Sequence, residues 1–376
     1  MLDHCFWNGE TVAGRCTVSL RFSRVTLGLK LEADSRSYPD SPYRQRYLGE
    51  GFAHHDEVAC LYSGGLDSAA GLVARLRSQD ALKMTPVTVV HRSDIGSQSR
   101  SQLAVLQKHF NGRLSPIAVP FEFRRSERSR KREPSQRTRS FLFASVGFVV
   151  AASNDQPFLE AFESGIGAFN TPLMGNMRGS QATRGMSPYA LDLMSDIASR
   201  VFDKPFRLSL PFAHQTKAEV VRALHDSQLG DLARETVSCV HYPVRNEAGK
   251  GHRQCGVCPA CLFRRVALAA AGIDDPAHGY KFDVLDPSVV LAEKEARPLV
   301  AFLNQVDAIN ANTDAGLPAY VASHLRRIGV LKAGGDNSVL ADLYRRYAAG
   351  WAAFIRQGRR NGCHWTKLID ARSAAA

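Results

Sequence analysis

Short apolar runs alternate with stretches of helical period through the middle of the chain. Residues 58–62 form a continuous apolar run, as expected of a strand buried on both faces. Residues 69–76 follow with helical spacing. Further strand-like runs lie at 86–91, 116–121, 157–162 and 207–210, and helical patterns separate them at 101–110, 139–152, 189–202 and 217–226. Strands alternating with helices predict an α/β fold, a parallel sheet covered by helices on both faces. In the first part of the chain, 1–54, two runs at 16–22 and 25–31 alternate apolar and polar residues and predict an antiparallel pair. Residues 35–46 read as loop. The last part, 276–376, is helical by pattern at 289–309, where Pro298 interrupts the period, and at 338–355. The sheet therefore occupies 55–275, between a small N-terminal β element and a helical C-terminal extension. Within that extension Tyr344, Tyr347, Trp351 and Phe354 make a stripe that reads as core packing or a subunit contact, which allows a homodimer.

Composition narrows this picture only slightly. The 376 residues are 44% hydrophobic and 22% charged, ordinary for a globular protein with a sizeable core. The longest apolar stretch, 141–152, falls short of the roughly 18 residues that span a bilayer, and the N-terminus lacks the pattern of a secretory signal. The expected compartment is the cytoplasm, with no membrane partner. A net charge of +12 favours an anionic partner such as ATP, an acidic protein surface or nucleic acid.

Candidate chemistry centres on Ser63-Gly64-Gly65-Leu66-Asp67-Ser68. This turn joins the carboxyl end of the first strand to the helix after it, with Asp67 or Ser68 expected near the N-cap. Open N–H groups and the positive end of the helix dipole suit an anion there. Two glycines let the backbone approach a phosphate, and two serines add hydroxyl donors. Six of the ten residues 124–133 are basic, which reads as a solvated loop or a docking strip for an anion. Arg137 and Arg139 follow at a helix start, where the dipole disfavours cations, so a nearby anion explains them better than helix stability does. Residues 163–187 form a long Gly/Met/Ser-rich connection and a candidate substrate loop.

Four of the eight cysteines fall at Cys239, Cys255, Cys258 and Cys261. The last three form a Cys-x-x-Cys-x-x-Cys knuckle. Four converging thiolates suit a structural zinc ion with no open position, and iron–sulfur ligation is the alternative. His241 and His252 lie between these cysteines and read as surface or supporting histidines rather than as further ligands.

Ser-Gly-Gly-x-Asp-Ser after an apolar strand resembles the PP-loop of ATP pyrophosphatases, which split ATP into AMP and pyrophosphate while adenylating a substrate oxygen. With the cysteine array roughly 170 residues further on, residues 55–275 resemble QueC, the 7-cyano-7-deazaguanine synthase family. The segment Pro211-Phe212-Ala213-His214-Gln215-Thr216-Lys217-Ala218-Glu219 looks like that family's [Ser/Thr]-Lys-x-Glu element, and Cys261-Leu262-Phe263-Arg264 looks like the end of its zinc knuckle. The resemblance implies an adenine nucleotide alpha-hydrolase-like (HUP) domain. It implies ATP held by Ser63, Gly64, Gly65, Leu66, Asp67 and Ser68, with His91 counted among the contacts. Mg²⁺ would lie near Asp67, and Zn²⁺ on Cys239, Cys255, Cys258 and Cys261. Lys217, Arg137 and Arg139 are the candidate catalytic cations, with Asp67 beside them. The implied substrate is a deazapurine such as 7-carboxy-7-deazaguanine.

The chain also departs from that family. Glu163-Ser164-Gly165-Ile166-Gly167-Ala168-Phe169-Asn170 stands where a Gly-Tyr-Pro-Asp-Cys-type segment is expected, and both terminal parts are extra. These features look more like the QueC-like paralogues of anti-phage islands, QatC of the Qat system and the QueC-like members of type IV CBASS. That likeness implies transfer of the adenylated acid to an amine, including a protein N-terminus supplied by the same operon. The readings set against it are a plain preQ0 synthase using ammonia and a nucleic-acid-binding module.

Overall fold

The protein is described from a computed structural model. It describes residues 15–22, 25–32, 56–121, 139–170, 173, 185–245, 252–275, 279–327, 337–367 and 369, with backbone alone for 15–22, 25–32, 245, 252, 253, 326 and 327. The expected antiparallel pair is present as β1 (Arg15–Phe22) and β2 (Val25–Glu32), with Arg15 opposite Glu32. Then follow β3 (Glu57–Leu61), α1 (Leu66–Arg77), β4 (Lys83–Val90), α2 (Ser93–His109), β5 (Ile117–Pro120), α3 (Arg139–Ser153), β6 (Phe158–Glu160), α4 (Gly165–Phe169), α5 (Pro188–Phe202), β7 (Arg207–Ser209) and α6 (Lys217–Asp226). Five strands form one sheet in the order β5-β4-β3-β6-β7, and every pairing is parallel. The order reverses between β3 and β6. In open α/β sheets the ligand crevice lies at such a point, beyond the carboxyl ends of the strands.

Two elements begin earlier than their patterns predict. β4 starts three residues before Pro86. The Met84 N–H donates to Arg113 O, so alternation points the Pro86 nitrogen to the same side, below the start of β5 at Ile117. The proline therefore spares the pairing with β3 and leaves its gap on the β5 side, between the Met84–Leu114 bridge and the Val87–Ile117 pair. α2 starts at Ser93 rather than near 101. Its first turns are polar because they face a loop, as described below, and not the core. The α1 helix starts at Leu66 with Gly65 as N-cap and no side-chain cap, so Asp67 and Ser68 lie inside its first turn rather than capping it.

The C-terminal part is helical, as expected. After α7 (Gly230–Glu235), the two-residue strands β8 (Val244–Arg245) and β9 (His252–Arg253) and α8 (Pro259–Ala271) come α9 (Glu293–Ala311), α10 (Leu317–Arg327) and α11 (Ser338–Arg360). α9 runs through Pro298 instead of breaking there. The proline is six residues into the helix, and the bond it forfeits would have gone to the carbonyl of exposed Lys294. Tyr344, Tyr347, Trp351 and Phe354 are all buried. They form a core with Phe302, Leu303 and Trp365 that is continuous with Ile166 and Phe169 of α4 and Leu262 and Val266 of α8. Among the described residues, no helix is long and apolar enough to cross a membrane. The basic stretch 124–133, Arg137, the loop 35–46 and most of the Gly/Met/Ser-rich connection lie outside the described residues.

Candidate active site

The loop after β3 is built to leave polar groups open. Gly64 adopts φ +74°, a conformation that favours glycine, and a Cβ there would come 2.8 Å from Ser99 Oγ. Ala69 N is the first helical donor of α1, to Gly65 O at 3.1 Å, so the amides of Leu66, Asp67 and Ser68 point free of the helix ladder. Ser63 Oγ lies 3.3 Å from Ser68 Oγ, and Ser68 Oγ donates to Gly65 O at 2.9 Å. The polar start of α2 carries this loop from below. Gln102 donates to Gly64 O at 3.2 Å and to Glu235 O at 2.8 Å, and its own oxygen accepts from the Tyr62 hydroxyl at 2.7 Å. Ser99 and Gln102 escaped the sequence reading because a helix that supports a loop shows no apolar stripe.

Three charged side chains meet in the crevice. Lys217, the first residue of α6, is paired with Asp67 Oδ2. Its ammonium also lies over the Phe263 ring, 5.4 Å from the centroid. The second Asp67 oxygen, Oδ1, is buried and has no hydrogen-bond partner among the described residues. Glu163 enters from the end of β6, its carboxylate lying directly on the backbone of Gly167. Burial, reinforced by the negative charge of Asp67 and only partly offset by Lys217, pushes the Glu163 carboxyl up to about 8. Glu163 was quoted in the altered segment and given no role; its neighbourhood depends on three elements that only the fold brings together.

His91 and Arg139 form a second group at the end of β4. Arg139 lies 5.0 Å over the Phe143 ring, and the same ring is 6.0 Å from the imidazole of His91. Burial, and then the charge of Arg139, lowers the His91 pKa below its ordinary value. Its Nδ1 has no hydrogen-bond partner among the described residues. Arg137 lies outside the described residues.

The four sulfurs of Cys239, Cys255, Cys258 and Cys261 lie within 4.8 Å of one another, and all four residues are buried. Gly256 holds the knuckle turn at φ +85°, where a Cβ would collide with Phe282 O. Backbone amides already point at sulfur, Cys255 N at Cys239 Sγ (3.2 Å) and Cys258 N at Cys255 Sγ (3.3 Å). Four convergent sulfurs with N–H donors around them fit a closed tetrahedral ion such as zinc. His241 is exposed and outside this cluster; the His252 side chain lies outside the described set.

The knuckle and the phosphate-type loop are one construction. Val237 N donates to Gly64 O at 3.3 Å, two residues before the first cysteine. Gln254, just before Cys255, accepts from Ser238 N and Cys239 N. Arg264 of α8 donates to Ala233 O (2.6 Å) and Thr236 Oγ1 (2.5 Å) on the same connecting segment. A metal in the knuckle would thus stiffen the chain that supports Gly64.

Parts of the chain are similar to known proteins. Residues 189–272 match the family described as "Queuosine biosynthesis protein QueC". The chain is 38% identical over 89 residues to a 7-cyano-7-deazaguanine synthase of Anaeromyxobacter sp. (strain Fw109-5), covering 23% of this chain and 34% of that protein. It is 36% identical over 73 residues to the synthase of Nitrosococcus oceani, covering 19% of this chain and 29% of the relative. A longer, weaker match of 24% over 235 residues links 59% of this chain to 92% of the Geobacter metallireducens synthase. At the higher identities the chain thus spans about a third of the length of the curated relatives it matches. The chain is QueC-like, most clearly over the stretch that holds Lys217 and the four cysteines.

Proposed function

We propose that the protein is an ATP-dependent ligase that adenylates the carboxylate of a 7-deazaguanine, such as 7-carboxy-7-deazaguanine, and passes the acyl group to an amine. The observation that carries this reading is the Lys217–Asp67 pair set against the Ser63–Ser68 loop at the sheet's switch point. In the first step a carboxylate oxygen attacks the α-phosphorus of ATP, the bond to the bridging oxygen breaks, and pyrophosphate leaves. In the second the amine nitrogen attacks the acyl carbon, AMP departs, and the amine gives up a proton. Two anions must approach one another, so cations are needed where charge builds. Lys217 serves that role on the loop side, with Arg139 as a second cation, Arg137 as a further candidate from the sequence and His91 as an ATP contact. Asp67, with one oxygen unspent, is the residue to hold Mg²⁺ on the phosphates. The cysteine cluster carries a structural Zn²⁺.

The Glu163–Asn170 turn and the helical C-terminal region support placing the chain among the anti-phage paralogues, with a protein amine as acceptor. A preQ0 synthase is the second reading, favoured by the relatives' own name, 7-cyano-7-deazaguanine synthase. Incubation with ATP, Mg²⁺ and 7-carboxy-7-deazaguanine should release pyrophosphate, and Ser63→Ala and Asp67→Ala should abolish it. No release with that acid or its amide would overturn the proposal. A nitrile formed with ammonia alone would select the second reading, and a deazaguanine mass added to a co-expressed protein would select the first.

A further inference from the structure

The rear of the crevice is made by a helix outside the sheet. One turn of α11 carries Leu343, Arg346 and Tyr347, and each touches a different part of the site. A Cβ on Gly165 would come 2.7 Å from Leu343 Cδ2, so the turn after Glu163 rests on this helix. Tyr347 packs 5.7 Å from Phe263, the ring beneath the Lys217 ammonium, and Phe302 stacks on that ring at 6.1 Å. Arg346 grips the segment that launches Lys217. Its Nη2 donates to His214 O at 3.0 Å, its Nη1 pairs with Glu219 Oε2, and Asp342 steadies its Nε at 2.8 Å.

Glu219 is also the closing residue of a capping box. Its Oε2 accepts from Thr216 N at 2.8 Å, and its own N–H donates to Thr216 Oγ1 at 3.3 Å. Lys217 is the residue immediately after that cap. One guanidinium therefore fixes both the approach to the cap and the carboxylate that closes it. Arg346 and Glu219 are about one third exposed, and ion pairs of that kind add little to stability. Holding a lysine in place is the use that remains for so many directed bonds.

We propose that Arg346 is a positioning residue for Lys217, which makes the helical C-terminal region a working part of the site. The kinetic side of this inference rests on the proposed ligase reaction; the structural side does not. Full-length Arg346→Met, Arg346→Lys and Arg345→Met proteins test both. Arg345 is the control, since it bonds Asn312 O and Asp314 from the same helix without reaching the crevice. Competitive acetylation read by mass spectrometry should show Lys217 labelled several-fold faster in Arg346→Met, intermediate in Arg346→Lys and unchanged in Arg345→Met.

In pyrophosphate release, Arg346→Met should lower kcat roughly 10- to 100-fold, the scale of a small misplacement. KM for ATP should stay within about threefold, because misplacement strikes the transition state harder than ground-state binding. Arg346→Lys should restore part of the loss. Should Arg346→Met not fold, Glu219→Gln keeps an acceptor for Thr216 while loosening the guanidinium, and it should shift both readouts in the same direction. Wild-type labelling of Lys217 in these variants, or an equal change in Arg345→Met, overturns the inference. Absence of pyrophosphate release by the wild type would sink the ligase reading instead and leave the labelling result to decide this one.

Discussion

Helix α1 and the chain leaving β6 are joined by charge at both ends, and the two joints are built in opposite ways. In the last turn of α1, Arg75 Nε lies 3.1 Å from both oxygens of Glu160, with the side chains 0% and 2% exposed. In the first turn, among the described residues, Asp67 shares a single lysine with Glu163, and one of its oxygens has no hydrogen-bond partner. The lower joint is one cation on one carboxylate, closed to water. The upper joint has one cation for two carboxylates and opens into a crevice. A saturated pair offers a ligand nothing, whereas an unsaturated trio is stable only if something completes it or a proton neutralises it. The contrast separates structure from function along the same two elements without reference to any relative.

The largest effect should come from breaking the closed joint. Arg75→Met strands Glu160 in a site where burial already raises its pKa and only Arg75 pulls it back. Removal of one partner from a buried pair costs about 3–5 kcal/mol, which denaturant unfolding will register. The Arg75→Met/Glu160→Gln double variant should recover part of that loss, since no charge is left buried. Pyrophosphate release per folded molecule should stay close to wild type. A stable Arg75→Met protein with a damaged reaction would erase the distinction between the two joints.

Lys217→Met should do the reverse. Without the ammonium, turnover of the proposed reaction should fall about 100- to 1,000-fold, the scale of losing one preorganised stabilising group. The melting temperature should move far less than in Arg75→Met, because Asp67 keeps 21% of its side chain exposed and can hydrate. A collapse of stability with turnover per folded molecule preserved would recast Lys217 as a structural counterpart of Arg75.

Much of this was legible before any coordinates. The apolar run ending at Tyr62, the Gly64-Gly65 turn and the cysteine spacing are local signals, and local physics fixes them. Lys217 was legible through the likeness of Thr216-Lys217-Ala218-Glu219 to a family element, which the structure shows to be a capping box. The rest depends on long-range closure. Arg346 lies 127 residues from Glu219, and helical periodicity assigns it only to a polar face. The start of α2 was missed because Ser99 and Gln102 serve the loop and leave no apolar stripe. Pro298 misled because a proline near the start of a helix forfeits little when the orphaned carbonyl faces water.

Glu163 gives the smallest effect and the sharpest test of the open joint. Its carboxyl is pushed from an ordinary 4.5 up to about 8 in the folded protein, chiefly by burial and next by Asp67. Between those two values the folded state holds a proton that the unfolded chain has released. Stability therefore falls as pH rises through this window, is full below about 4.5 and levels off above about 8. Each pH unit inside this window is worth at most about 1.4 kcal/mol, the free energy of one proton. Glu163→Gln carries no proton to lose. Its stability relative to wild type should climb between pH 5 and about pH 8.5 at no more than that slope and then stay level. Lys217→Met should carry the fall to higher pH, because the charge that lowers the Glu163 pKa would be gone, and Asp67→Asn should end it at lower pH. A constant offset between Glu163→Gln and wild type at every pH would mean that this carboxylate is already paired, and that the upper joint is as closed as the lower one.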